Sequence, residues 1–147
     1  MTVNTSISTV EADGDGVTVQ FSFSPITVYD TSDLMVVSVD ANEVETDLVE
    51  GNTSTTYSVT LNSTTLPSTG FIRYPATGAA VLATGERIVI KRVLDLLQET
   101  DLENQGGYFP DVQEKIADRL VMIDIQQQEE LDRCVKVPIG STIATDD

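Results

Sequence analysis

The feature that most constrains this chain is the change of periodicity at Phe109. From Phe109 to Pro138 the sequence FPDVQEKIADRLVMIDIQQQEELDRCVKVP has a helical pattern, and it follows a region that reads as β-structure throughout. Ile116, Leu120, Ile123 and Gln127 are spaced by four, three and four residues, the spacing of a coiled-coil seam. A β-domain followed by one seam-bearing helix predicts a module that assembles with copies of itself, an architectural protein and not an enzyme.

Composition narrows the chemistry further. With 147 residues the chain can bury a core without a disulfide or metal staple. Its single cysteine, Cys134, has no intramolecular partner. Histidine is absent, which removes the usual acid–base group and the commonest metal ligand, so triads and tetrahedral zinc sites are excluded. No cofactor is expected. The formal charge is −16, from eight basic and 24 acidic residues, and the first base is Arg73. Such a surface offers phosphates no cationic footprint, so nucleic acid is not an expected partner. The apolar runs, such as Leu34–Val39, are far too short for a membrane span. The opening MTVNTSISTV is too polar to read as a signal peptide.

Along the chain, Val17, Val19, Phe21 and Phe23 alternate with Thr18, Gln20 and Ser22, predicting a half-buried strand. It is preceded by Asp13-Gly14-Asp15-Gly16. This reads as a turn, because the later ligands and terminal glutamate of a calcium loop are missing. Further strands are predicted at Leu34–Asp40, Glu43–Leu48, Tyr57–Leu61, Phe71–Tyr74, Ala79–Ala83 and Arg87–Val93. In the last of these Ile88 and Ile90 face one way and Val89 the other. Short strands at this spacing predict an antiparallel β-sandwich over 1–93. Residues 94–109 read as a linker with Gly106-Gly107 as a swivel, and 110–137 as the helix, with Pro110 in its first turn. The remaining residues, 138–147, read as a flexible tail.

The seam has two readings on its pattern. The stripe either packs on the chain's own β-domain or joins several chains, and spacing divides these evenly. Gln127 tips the balance, because a polar residue on the stripe needs a partner that a symmetric bundle supplies. Continued through the helix, with one four-residue step to Leu131, the interface comprises Val112, Ile116, Leu120, Ile123, Gln127, Leu131 and Cys134.

The succession GDGVTVQFSF, LMVVSVD, YSVT, GERIVIKRV, QETDLENQGGYFP and EKIADRLVMIDIQQQEELDRCVKVP resembles the N-terminal anchor region of bacteriophage tail fibres and tailspikes, closest to those of short-tailed phages. The likeness runs from about Asp13 to Pro138 and is most specific in Gln98–Leu102 and Asp118–Pro138. It implies a mainly β fold with a trimeric, coiled-coil-like C-terminal helix, in a homotrimeric virion protein of the phage tail. The β-domain would dock on tail hub or adaptor proteins. The family has no catalytic residues in this region to carry over. Its members usually continue into a shaft and a receptor-binding or glycan-cleaving tip. Here the expectation is a short adaptor that joins the tail to a separate distal fibre protein.

Two other readings compete with the anchor. A small glycan-recognising β-sandwich would use loops such as Thr53–Thr56 and Ser63–Thr65, although there is no tryptophan to stack on sugars. A carboxylate-based hydrolase is remote, since no motif brings two acids together.

Overall fold

A computed structural model describes residues 5–78, 82–96 and 110–134. It is mainly β, with two antiparallel sheets and one C-terminal helix. The strands are β1 (Thr9–Asp13), β2 (Gln20–Ser22), β3 (Leu34–Val39), β4 (Glu45–Leu48), β5 (Ser58–Leu61), β6 (Gly70–Arg73) and β7 (Arg87–Arg92). The helix, α1, spans Pro110–Arg133. One sheet has the order β1-β7-β3-β4 and the other β2-β6-β5.

β7 is the hub of the larger sheet. It pairs with β1 on one side, Thr9 opposite Lys91, and with β3 on the other, Leu34 opposite Arg92 and Val36 opposite Ile90. Its alternation sets the two faces: Ile88, Ile90 and Arg92 are buried, while Arg87, Val89 and Lys91 are not. The core collects Leu34, Val36, Ile88 and Ile90 from this sheet, and Phe21, Ile72 and the flanking Phe23 from the side of the smaller one. Tyr57, Ile26 and Val28 complete it from the connections.

Two local results differ from the sequence reading. β1 is not among the strands the sequence predicts; its alternation is only Val10 and Ala12, which pack against the core, and it is held by pairing with the edge of β7. The strand expected from Val17 pairs only from Gln20. Asp15 accounts for the late start: its Oδ1 accepts from the amides of Val17 at 2.8 Å and Thr18 at 2.6 Å, which are thus engaged in a turn. Val17 is left 79% exposed. The Thr18 hydroxyl, followed by these two amides, holds the Asp15 carboxyl down at about 2. The segment is a turn, with Gly16 at φ +77° and Gly14 against the Ala83 carbonyl, where a Cβ would collide. Of the strand expected over Ala79–Ala83, the first three residues lie outside the described residues, and Leu82 and Ala83 pair in no strand.

Candidate assembly interface

α1 starts as its sequence dictates, with Pro110 and Asp111 in the first turn, and ends with Arg133 in its last turn. Two different stripes run along it.

The first stripe packs on the chain's own β-domain. Asp118, Met122 and Gln126, four residues apart, are buried. Met122 is fully buried and is the only such apolar side chain on the helix. Several polar contacts accompany it on this side. The Tyr29 hydroxyl donates to Asp118 Oδ2 at 3.4 Å, and Lys115 Nζ lies 5.1 Å from the centroid of the Tyr29 ring. Burial, then the Asp118 charge, pushes the Tyr29 hydroxyl up. Arg119 Nη2 donates to the Asp95 carbonyl at 3.1 Å.

Gln126 makes the most informative contact. Its Oε1 accepts from the backbone N–H of Leu94 at 2.8 Å, a buried bond. Leu94 lies just past β7 and is itself buried, so the glutamine side chain serves as the ladder partner that this amide lacks. Further along, Lys91 Nζ lies 2.8 Å from Glu129 Oε2 and 3.5 Å from Glu130 Oε1, and Arg133 Nε is 2.8 Å from Glu129 Oε1. Burial pushes Glu129 up, but the two cations outweigh it and hold its carboxyl below the usual range.

The second stripe is the predicted seam. At about 3.6 residues per turn it is centred roughly 130° around the helix from Met122. Leu120 is 59% and Leu131 56% exposed, and Gln127 and Cys134 are exposed as well. Val112, Ile116 and Ile123, on the flank between the stripes, are half-buried. The Cys134 thiol donates to the Glu130 carbonyl at 3.2 Å. The seam residues thus share one side of α1 that the β-domain leaves largely uncovered. Gln126, and not Gln127, is the buried glutamine. The helical spacing marks Gln127 and not its neighbour, because no local pattern shows that Leu94 presents an amide for Gln126 to accept from.

Elsewhere the surface offers little for chemistry. A cleft of about 510 Å³ opens between Tyr29, Asp33 and Asp95 on one side and Lys115, Ile116 and Arg119 on the other. Tyr29 is its only aromatic lining residue, and Lys115 already lies over that ring. In the threonine-rich loop, Thr53 and Thr56 hydroxyls bond to each other at 3.2 Å. Among the described residues no group of three or more His, Cys, Asp or Glu is placed to hold a metal ion. No helix among them is long and apolar enough to cross a membrane.

No protein-family profile matches the chain. It is similar to the tail spike protein of Salmonella phage epsilon15, with 35% identity over 138 residues. The match takes in 94% of this chain but only 12% of that protein's length. Over nearly all its length, then, this chain is related to a phage tail spike protein, and its place is the virion tail.

Proposed function

We propose that this chain is a trimeric tail-fibre anchor or adaptor. Its β-domain docks on the tail, α1 bundles with the helices of two other copies, and the assembly carries a fibre or another receptor-binding component. It is not an enzyme in this reading. The single observation that supports it best is the open apolar side of α1. A helix that served only to cover its own sheet would gain nothing from Leu120 and Leu131 on the side away from Met122. Gln127 on that side provides the polar contact by which a symmetric bundle sets its register.

The polar cleft at Tyr29 lends no comparable support to sugar recognition, since its one ring is already engaged by Lys115.

The test is the solution mass of the purified chain and of the double variant Leu120→Asp/Ile123→Asp. Three times the chain mass is expected for the parent and a monomer for the variant, with the far-ultraviolet signature of the β-domain retained in both. A variant that keeps the parent's oligomeric mass would show that α1 is not the assembly element.

A further inference from the structure

Two apolar side chains near α1 are accounted for neither by the core nor by the seam. Val121 stands about 100° round the helix from Met122, on the flank away from Val112 and Ile123. It is 45% exposed, so the chain's own β-domain leaves much of it open. Ile7, just before β1, is 46% exposed. A groove of about 480 Å³ runs between the segment that holds Ile7 and this same flank of α1. Ser6 to Thr9 form one wall, and Ile125, Gln128 and Asp132 belong to the other. Ile125 follows Val121 by one helical turn and lies about 60° from Met122 in the same sense.

The flank is continuous with the open side of the helix. Ala117, Asp124 and Gln128 lie between Val121 and the seam residues Leu120 and Leu131, and Asp124 is the only charged side chain among those three. Cyclic symmetry then decides what lies opposite. In a closed ring of three copies with the seam toward the axis, one flank of each helix faces the other flank of the next copy. The Val121 flank of one copy is thereby turned toward the Val112 and Ile123 flank of its neighbour, where both residues are only half-buried. A second copy is thus the occupant that the assembly itself delivers, with apolar surface on both sides of the contact.

We propose, resting on the trimeric reading above, that Ile7 and Val121 form a second contact between copies, in which one chain leans against the flank of the next. The seam joins helix to helix at the axis and sets the number of chains. The flank contact fixes how the β-domains are turned about that axis, so that three of them present one rigid surface to the tail.

The test is the concentration at which the trimer dissociates on dilution, followed by sedimentation, in Ile7→Asp and Val121→Asp. Val17→Asp is the control, because it adds the same charge at a residue 79% exposed in the Asp15 turn, beyond the far end of β1. The two flank variants should still form trimers when concentrated, since the seam is intact. They should dissociate at concentrations at least about tenfold higher than the control. Ile7→Ala should shift the midpoint the same way by about threefold, and it decides the matter if a charged variant does not fold. Flank variants that dissociate together with the control would overturn the contact and leave this surface to a tail protein or to solvent. A parent chain that is monomeric at every concentration would instead overturn the trimeric reading, and this contact with it.

Discussion

The core between the two sheets and the junction between α1 and those sheets are built on different principles. In the core, Phe23, Ile26, Val28, Ile72, Ile88 and Ile90 are all fully buried, and burial itself is the stabilising term. At the junction Met122 is the one fully buried apolar side chain, and Asp118, Gln126 and Glu129 surround it with directional contacts. Apolar burial gives strength without much orientation, whereas hydrogen bonds and ion pairs give orientation at modest net strength. The β-domain is therefore the stable body. The junction chiefly fixes how α1 is turned, and hence which side of it stays open.

The comparison breaks most visibly in the core. Phe23→Ala should cost about 3–5 kcal/mol of global stability, read from denaturant midpoints, because Phe23 is completely enclosed. A loss under about 1 kcal/mol would mean that the two sheets do not depend on one shared core.

A smaller and more local effect is expected at Gln126→Leu. It removes the acceptor of the Leu94 amide and leaves that buried donor unpaired, at about 1–3 kcal/mol. Hydrogen exchange should quicken at Leu94 and along α1 while the amides of β3 and β7 keep their protection. Uniform acceleration across the domain would show that the junction and the core unfold as one unit.

The smallest effect is that of acid on the Lys91–Glu129 contact. Glu129 has a depressed pKa, so its contribution is fully present above the ordinary glutamate value of about 4.3. It is lost as the pH falls through the lower value in the folded chain. The pair is close to the surface, and about 1 kcal/mol or less is at stake. Glu129→Gln should flatten this part of the acid dependence of α1 protection; an unchanged profile would assign it to another carboxylate.

Much of this could be read from the residues, for identifiable reasons. β7 followed from alternation, because one of its faces is buried and the other is not, and β3 from its short valine-rich run. The helix followed from its periodicity and from Pro110. β1 was hard to read: the alternation in TVEAD is only Val10 and Ala12, too short to stand out, and the strand exists through its pairing with a partner far along the chain. Val17 misled because it continues the period of Phe21 and Phe23, while the local bonds of Asp15 take its amide and that of Thr18 out of the ladder. The side chains at the junction were recognisable as a helix face but not as contacts. Asp118, Gln126 and Glu129 look like any solvated polar residues of a surface helix.

The sequence by itself thus determined the kinds of element and the residues able to form an apolar stripe, since both depend on local periodicity. It also excluded histidine chemistry and an intramolecular disulfide within these residues, since there is no histidine and one cysteine. Only the tertiary structure decided which stripe of α1 meets the β-domain. The helix carries apolar residues on more than one side, so periodicity left the choice open. The choice falls to groups outside the helix: the amide of Leu94, the ammonium of Lys91 and the hydroxyl of Tyr29 find their counterparts in Gln126, Glu129 and Asp118.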